Sequence, residues 1–440
     1  MRDRDYAGAR GMCHDDVTGF GTVSSRYDGI DELQHEQWHL VWDRTEGFDF
    51  DVDAATVWAD GELVVAISQW SSVGIEQRHA SPAAWASHHR AGGSGRRASG
   101  GAHALLHVAR LHRMIHFHAS SNFLWTMQRF VDVWAPSLKP SVNAVAYADL
   151  WRGDPVPRGV HIFTDFERLL PPERALARRT YRRIAARPDL YRTLNAVDAW
   201  VGRYDLLQRL ADAGINDFRA HRLRDVGPDV RFPVFLRWEN DHRGSLGRLV
   251  RSIDELDDRV RKHISRRRRL VSRPIIVEKI SVRDDDGLHR KYSAMKIGDH
   301  LVPRHLLFSE SWLTKKPDVV TPELAKEELQ FLEEFPHAEQ VNEVFKIAGM
   351  DYGRIDYGFS NGRMQVWEIN SNPVILPYKK KIDRLRRPSQ NRSAELITRA
   401  FESLLDAVPQ GPGVCALGPA ERLWWRGQAP ISRRYDHYRR

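Results

Sequence analysis

Two β-strands joined by a tight turn are predicted by YGRIDYG at residues 352–358 and RMQVWEIN at residues 363–370. Apolar Ile355 in the first strand, and Trp367 and Ile369 in the second, alternate with Asp356, Glu368 and Asn370. Successive side chains of a strand point to opposite faces. We therefore expect the apolar face of this hairpin to pack against a core and the polar face to carry the chemistry.

The polar face has Asp356 on the first strand and Glu368 and Asn370 on the second. Carboxylate and amide oxygens are hard ligands of the kind that Mg²⁺ prefers. An acidic, solvated hairpin without function is the alternative. Against it, three such groups on otherwise apolar strands would be costly to desolvate without a cation. The residues therefore favour a metal site.

The register of the hairpin decides whether the two carboxylates converge. A two-residue loop at residues 361–362 would pair Asp356 with Trp367. That register would leave Asp356 and Glu368 on opposite faces. A three-residue loop, with Gly362 in the left-handed conformation and a bulge, would align the two carboxylates. We predict the three-residue loop.

The hairpin resembles the metal-binding end of the ATP-grasp superfamily, whose members include D-alanine–D-alanine ligase, biotin carboxylase and glutathione synthetase. That family has an acid on one strand and Glu-x-Asn on the next, which Asp356, Glu368 and Asn370 match. The resemblance implies that these three side chains bind Mg²⁺ between the phosphates of ATP. It also implies that Arg354 is catalytic and stabilises the tetrahedral intermediate of a ligase.

Upstream segments follow the order that the resemblance implies. Residues 232–237 resemble the strand whose last basic residue contacts the ATP phosphates, although most of the family has lysine where Arg237 stands. Arginine keeps the charge but changes the donor geometry. Gly244 and Ser245 belong to a loop that resembles the glycine-containing phosphate loop. Arg203 stands where the family often has another phosphate-binding lysine, and a surface ion pair is the alternative for it.

The segment PIIVEKI resembles the hinge strand that holds the adenine ring. On that resemblance, Glu278, Lys279 and Ile280 belong to the cofactor site. A ribose-binding acid normally follows this strand. The sequence does not separate the three consecutive aspartates at residues 284–286, and Asp286 stands as the candidate.

Two basic residues on the next strands complete the predicted site. Lys291 is assigned to the cofactor site. Arg304 is assigned a catalytic role, binding the γ-phosphate or an acidic substrate, and a structural role is equally open for it. The loop SESWLTKKPD at residues 309–318 is expected to help select the substrate, and its lysines suggest an anionic partner.

Alternating strands and helices predict an α/β (α+β) chain. We expect a two-lobe ATP-grasp fold at residues 196–405, preceded by a smaller α/β domain at residues 106–195. Residues 1–105 are assigned to an uncertain, poorly ordered N-terminal segment with a flexible linker near residues 87–97, which are rich in Ser, Gly, His and Arg. Residues 406–440 are assigned to a C-terminal tail.

The composition limits the class of protein. The 440 residues include 67 Lys and Arg against 58 Asp and Glu, a net charge of +9. Such charge suits nucleic acid, but no known nucleic-acid-binding signature accompanies it, so that partner is not expected. The two cysteines, Cys13 and Cys415, exclude a disulfide framework. Without a secretory signal or a membrane-spanning apolar run, we expect a soluble, cytoplasmic protein.

These features and the resemblance together predict an ATP- and Mg²⁺-dependent ligase. A substrate carboxylate would be activated as an acylphosphate and attacked by an amine. Two alternatives stay open: a small-molecule kinase, and a non-catalytic nucleotide-binding protein in which arginines replace the family's lysines. The expected partners are a small-molecule carboxylate and an amine, and a homodimer is compatible with the sequence.

Overall fold

The computed structural model describes residues 113–151, 155–242, 244–264 and 272–409, with short stretches inside residues 18–110 and at 415–416. The described residues before 113 and those from 113 onward belong to two separate compact units. Within these ranges, every helix is too short or too polar to cross a lipid bilayer.

The strands described in the first unit are β1 (Thr18–Phe20), β2 (Tyr27–Asp28), β3 (Thr45–Asp60), β4 (Leu63–Gly74), β5 (Ala98–Ser99) and β6 (Leu105–Arg110). They form an antiparallel sheet in the order β2-β1-β6-β4-β3, with β5 paired to β4. The segment ATVWADGELVVA predicts a hairpin here, which is confirmed because Asp60 pairs with Leu63. The predicted linker near residues 87–97 lies outside the described residues.

The second unit opens with β7 (Ile115–Ala119), α1 (Trp125–Val133), β8 (Val142–Ala146), α2 (Tyr147–Leu150), β9 (Pro155–Val156), β10 (Gly159–Phe163), α3 (Pro171–Ala185) and β11 (Tyr191–Leu194). Four of these strands form a parallel sheet in the order β11-β10-β7-β8. Every residue of β7 and β10 is buried, as expected for central strands of a parallel sheet. This sheet precedes the two lobes, as predicted.

A first lobe follows, with α4 (Arg203–Asp212), β12 (Ala220–Arg222), β13 (Val234–Trp238), α5 (Ile253–His263) and β14 (Pro274–Glu278). Its antiparallel sheet has the order β12-β14-β13. The central strand β14 is buried on both faces, because Ile275 and Val277 join one apolar cluster and Ile276 joins another. Ser252 caps α5 by accepting a hydrogen bond from the backbone N–H of Glu255.

The second lobe contains β15 (His289–Ile297), β16 (His300–Ser309), α6 (Pro322–Glu334), α7 (Ala338–Ala348), β17 (Tyr352–Ser360), β18 (Arg363–Asn370) and α8 (Arg387–Asp406). Its antiparallel sheet has the order β16-β15-β17-β18. A short final strand, β19 (Cys415–Ala416), pairs with β9.

The turn between β17 and β18 differs from the predicted one. Ser360 pairs with Arg363, so the loop consists of Asn361 and Gly362 alone. Both loop residues are left-handed, with φ of 50° and 74°, as in the two-residue turns that match the twist of paired strands. The predicted three-residue loop is therefore wrong.

The predicted alignment of the two carboxylates is nevertheless confirmed, because a bulge lies inside β18. The register shifts beside Asp356, so that Asp356 pairs with Glu368 and Trp367 is the extra residue. Ile355 and Ile369 pack in one apolar cluster, whereas Trp367 packs in another, against the first lobe. The prediction that Trp367 shares their core face is therefore wrong.

The predicted fold class is confirmed, since strands and helices alternate and a parallel sheet precedes two antiparallel lobes. The described residues from 113 to 409 cluster as one compact unit. The domain boundaries predicted at residues 195 and 405 stay predictions.

Candidate active site

A cavity of about 400 Å³ opens where three parts of the second unit meet. The first lobe with its glycine loop, residues 241–247, lines one part, and the second lobe lines another. The start of α1 and the chain after β18 line the third part. Cavities of this size commonly hold small molecules.

Asp356 of β17 is buried and surrounded by hydrogen-bond donors. Its Oδ1 accepts hydrogen bonds from Ser293 Oγ at 3.0 Å and from Arg354 Nε at 3.1 Å. Lys291 Nζ lies 3.3 Å from the other oxygen. Burial alone would raise the pKa of Asp356, but the charges of Arg354 and Lys291 hold it below its usual value. The carboxylate is therefore ionised at neutral pH.

Glu368 of β18 contacts two arginines of the first lobe. Its Oε2 accepts hydrogen bonds from the guanidinium of Arg203 and, at 3.1 Å, from that of Arg237. Both arginines also donate to the backbone carbonyl of Asp241. Burial alone would raise the pKa of Glu368, but the two guanidinium charges hold it well below its usual value. Glu368 thus links the two lobes.

The two arginines keep unused donor capacity. The Nε atoms of Arg203 and Arg237 are buried without a hydrogen-bond partner. Burial and the neighbouring charge of Arg203 lower the pKa of Arg237 to about 10, which still leaves it charged at neutral pH. An anion such as a phosphate would take up these donors.

Asn370, which pairs with Arg354 across the hairpin, is buried, and its Oδ1 has no hydrogen-bond partner. Its Nδ2 donates to Glu368 Oε1 at 3.3 Å. An unsatisfied buried oxygen is costly, and a cation would satisfy it. With two ionised carboxylates nearby, the donor set fits Mg²⁺. No group of three or more His, Cys, Asp or Glu side chains among the described residues forms a rival metal site.

The glycine loop brings Gly244 and Ser245, both predicted site residues, to the cavity. Gly244 has a φ of 92°, and a Cβ at this position would lie 2.6 Å from Lys315 Cε. The backbone conformation favours glycine, whereas the flexible end of Lys315 would only have to shift to make room for a Cβ. The loop also brings His242 to the cavity wall. Arg243 lies outside the described residues.

An apolar part of the cavity is built by both lobes. The rings of Phe235 and Trp312 pack with their centroids 5.3 Å apart. Ile280, Val282 and Trp367 line the same cavity. Of these five residues, the sequence predicts only Ile280 as a site residue.

The start of α1 and the chain after β18 form a wall that the sequence does not predict. Thr126 Oγ1 donates to Asn372 Oδ1, and Asn372 Nδ2 donates to the backbone carbonyl of Phe123 at 3.2 Å. The guanidinium of Arg168 lies over the ring of Phe123, 3.9 Å from its centroid. This wall gives the cavity an aromatic and cationic side away from the lobes.

Glu278, which the sequence assigns to the cofactor site, is buried and is not part of the cavity lining. Its carboxylate accepts hydrogen bonds from the backbone N–H groups of Arg219 and Arg231, both at 3.0 Å. The His221 ring lies 3.1 Å from Oε1, the oxygen that also accepts from the Arg231 N–H. Burial would raise the pKa of Glu278, but these hydrogen bonds, with His221 foremost, hold it at about 2. The carboxylate thus fastens β14 to its neighbours, and a role of Glu278 at the cofactor stays a prediction.

Asp286 and Arg304 are also absent from the cavity lining, and each has partners of its own. The carboxylate of Asp286, in an exposed turn, accepts hydrogen bonds from Arg290 at 2.9 and 3.1 Å. Arg304 is buried and donates to the backbone carbonyl of Ile375 and, at 3.0 Å, to Gln390 Oε1. In this structure both side chains have structural partners, and the ribose-binding role of Asp286 and the catalytic role of Arg304 stay predictions.

Most of the predicted site residues lie together at the cavity. The cavity lining includes Arg237, Gly244, Ser245, Lys279, Ile280, Lys291, Arg354, Asp356, Glu368 and Asn370. Arg203 reaches the site through its contact with Glu368. The loop at residues 309–318 contributes Trp312 and Lys315.

Comparisons with known proteins give similarity at the level of the fold alone. No family model and no curated protein matches the sequence. The D-alanine–D-alanine ligase from Bacillus anthracis complexed with ATP matches with 13% identity and a TM-score of 0.41, over 67% of this chain and 98% of that chain. An ATP-grasp RimK domain protein from Sphaerobacter thermophilus matches with 12% identity and a TM-score of 0.36, over 64% of this chain and 98% of that chain.

A third solved structure is the ATP-grasp ligase PsnB complexed with minimal precursor, Mg and ADP. It matches with 13% identity and a TM-score of 0.34, over 65% of this chain and 98% of that chain. These solved structures are ATP-grasp proteins, the superfamily that the hairpin resembles. At such scores and identities, the similarity carries no information on activity or substrate.

Proposed function

We propose that this chain uses Mg-ATP to activate a carboxylate and ligates it to an amine. One observation carries the proposal: the unsatisfied amide oxygen of Asn370 lies with two ionised carboxylates, Asp356 and Glu368, at a cavity lined by cations. Negative ligands and positive donors at one site suit a divalent cation that meets a polyphosphate.

The walls of the cavity support a bound nucleotide. The aromatic and aliphatic part around Phe235 and Trp312 offers an apolar surface to a flat base. Arg237 and Lys291 bring positive charge to the lining, and Gly244 leaves the backbone of its loop open to an anion. ATP would therefore bind with its base between the lobes and its phosphates at the carboxylate pair.

The residues around the carboxylate pair have separate chemical tasks in this proposal. Asp356, Glu368 and Asn370 would hold Mg²⁺, which supplies positive charge to the phosphates. Arg354 donates to Asp356 and, at 3.0 Å, to the backbone carbonyl of Val374. That fixed guanidinium would stabilise the oxyanion formed when an amine attacks the acylphosphate.

Hydroxylamine trapping tests the proposed activation step. The protein is incubated with ATP, Mg²⁺, hydroxylamine and free amino acids as carboxylate donors. We expect hydroxamate and ADP in equal amounts. Glu368→Gln should lower this rate by at least about 100-fold because a charged ligand is lost. The matched control Glu333→Gln, at an exposed ion pair on α6, should leave the rate unchanged.

The same assay separates the alternatives. ADP with a stable phosphorylated product and no hydroxamate would indicate a small-molecule kinase. ATP binding without turnover would indicate a non-catalytic nucleotide-binding protein. A cytoplasmic location belongs to the proposal because ATP is supplied there, and cell fractionation checks it.

A further inference from the structure

A histidine and a glutamate form a pair at the cavity wall that the roles above leave unused. His242 of the glycine loop lines the cavity. Its Nε2 lies 3.3 Å from Oε1 of Glu167, in the turn after β10. Both atoms are buried, and neither has a hydrogen-bond partner among the described residues, so the contact is one of ion-pair distance. Only 10% of the Glu167 side chain is exposed, against 27% of the His242 ring. The carboxylate is thus the buried member of the pair, and the ring is the open one.

Glu167 is held in place from its other side. Its Oε2 accepts a hydrogen bond from Ser371 Oγ at 2.6 Å, and that hydroxyl accepts one from the backbone N–H of Asp165 at 2.8 Å. Burial would raise the pKa of Glu167, but the contact with His242 and the charge of Arg168 hold it at about 2. A fixed negative charge therefore faces the imidazole.

We propose that His242, oriented by Glu167, is the general base of the ligation step, an inference that rests on the function proposed above. In this proposal the ring carries its proton on Nε2, the atom that faces Glu167, and keeps Nδ1 as a proton acceptor. The other ionisable residues of the described lining do not suit this task. Asp356 and Glu368 are engaged by cations, and the rest are arginines and lysines, which donate protons.

The proton and electron balance of this step is complete without a further reactant. The amine nitrogen forms a bond to the acyl carbon, and the bond from that carbon to the phosphate oxygen breaks. The electron pair of that bond leaves with the phosphate. The N–H proton passes to Nδ1 of His242, and Glu167 stabilises the imidazolium until it gives the proton to phosphate or water. The products are an amide and inorganic phosphate.

His242→Gln tests the inference because the two half-reactions can be measured separately. Hydroxylamine traps acylphosphates without needing a general base, so hydroxamate formation reports activation alone. Glycinamide, which carries no free carboxylate, reports the full ligation when free amino acids serve as donors. We expect His242→Gln to lower kcat for ligation by at least about 100-fold. Hydroxamate formation and the KM for glycinamide should stay at the wild-type level.

Two further variants complete the experiment. Glu167→Gln should impair the same ligation step and spare hydroxamate formation, and it keeps the inference testable if His242→Gln does not fold. The control His300→Gln lies on β16, where the exposed ring contacts Ser403 Oγ, and should change neither reaction.

Equal losses in both reactions would assign His242 to ATP binding, and no loss would make the pair purely structural. Either result overturns this inference alone. A wild type that forms no hydroxamate would instead overturn the proposed carboxylate activation, and the inference would fall with it.

Discussion

At the scale of single residues, the amide oxygen of Asn370 is buried without a partner beside charged carboxylates. Asn370→Ala removes this oxygen and adds no charge. We expect the Mg²⁺ concentration for half-maximal ATP binding to rise about tenfold, equivalent to about 1.4 kcal/mol. Titration of Mg²⁺ at fixed ATP measures it. Asn391→Ala, exposed on α8, is the control, and an unchanged midpoint for Asn370→Ala would remove this residue from the metal site.

Arg237 tests whether the geometry of a cation matters as well as its charge. Its Nη2 donates to Glu368 and to the backbone carbonyl of Asp241, and its Nε stays free for a ligand. A lysine side chain has a single nitrogen, which cannot replace the spread donors of the guanidinium toward Glu368, the Asp241 carbonyl and a ligand at once. We expect Arg237→Lys to weaken ATP binding about tenfold in a calorimetric titration. Binding as tight as in the wild type would show that charge alone suffices.

How well single residues could be predicted depended on where their partners lie. Asp356, Glu368 and Asn370 share one hairpin, so strand alternation and local spacing were sufficient to group them. The surroundings of Glu278 were not predictable in this way, because the donors to its carboxylate, such as Arg231, come from a distant segment. No local pattern in the sequence reports that such donors surround a carboxylate.

At the scale of elements, the two-residue turn of the β17–β18 hairpin depends on left-handed residues. Gly362 has a φ of 74°, and a Cβ there would meet no atom within 4 Å. Gly362→Ala therefore causes backbone strain without a steric clash. We expect the free energy of unfolding to fall by about 1–2 kcal/mol while ATP affinity stays the same. Urea unfolding measures this change. A variant more stable than the wild type would contradict the left-handed conformation of Gly362 in the turn.

The bulge in β18 was beyond local prediction. A bulge at the turn and a bulge at Trp367 both align Asp356 with Glu368, so the need for alignment does not choose between them. Packing determines the position of the bulge, because Trp367 packs against apolar residues of the first lobe. Helix α8, by contrast, could have been predicted locally. Its buried residues Ile397, Phe401 and Leu404 have helical spacing in the sequence.

Helix α6 carries a buried carboxylate that fastens the start of α8. Glu328 is 1% exposed and accepts hydrogen bonds from Arg386 at 2.6 and 2.8 Å, from Ser389 at 2.8 Å and from Gln390 at 3.1 Å. Glu328→Gln leaves Arg386 without its counter-charge. We expect it to lower the free energy of unfolding by about 3–5 kcal/mol, measured in urea.

Glu333 on the same helix is the matched control for Glu328. Its ion pair with Arg392 is exposed, with 49% of the glutamate side chain accessible. We expect Glu333→Gln to cost less than about 1 kcal/mol. Equal losses for the two variants would contradict the anchoring role of Glu328.

At the scale of the whole molecule, buried histidines of the parallel sheet make stability depend on pH. Burial lowers the pKa of His116 to about 4 and that of His161 to about 3, from the usual 6.5. Between pH 6.5 and these lowered pKa values, the histidines of the unfolded chain bind protons that those of the folded protein do not. Folded-state stability is therefore full above pH 6.5 and falls as the pH drops, by about 1.4 kcal/mol per unit for each ring.

Unfolding in urea between pH 5 and pH 6.5 checks this dependence. This pH window lies above the range in which protonation of Glu167 and Glu278, whose pKa values are about 2, begins to change the free energy of unfolding. His161→Gln should make the slope shallower, and His300→Gln should not change it. A flat profile for the wild type would contradict the neutral, buried state of these rings.

The complete cavity could not be predicted, since its walls come from segments far apart in the sequence. Arg168 follows the parallel sheet, His242 lies in the first lobe, and Trp312 lies in the second. The sequence predicted site roles for the glycine loop and for the loop at residues 309–318, but it did not single out His242 or Trp312, and it predicted no role for Arg168. Only the packing of the sheet and both lobes brings these three side chains to one cavity. The polar residues of the hairpin could therefore be grouped from the sequence, whereas these three could not.

Calorimetric titration of ATP with and without Mg²⁺, on the wild type, Glu368→Ala and the control Glu333→Ala, tests the central claim most directly. We predict micromolar binding that Mg²⁺ strengthens in the wild type and the control, because the carboxylate pair and Asn370 hold the cation. In Glu368→Ala the gain from Mg²⁺ should disappear. No ATP binding by the wild type, or a gain from Mg²⁺ that survives in Glu368→Ala, would contradict the account.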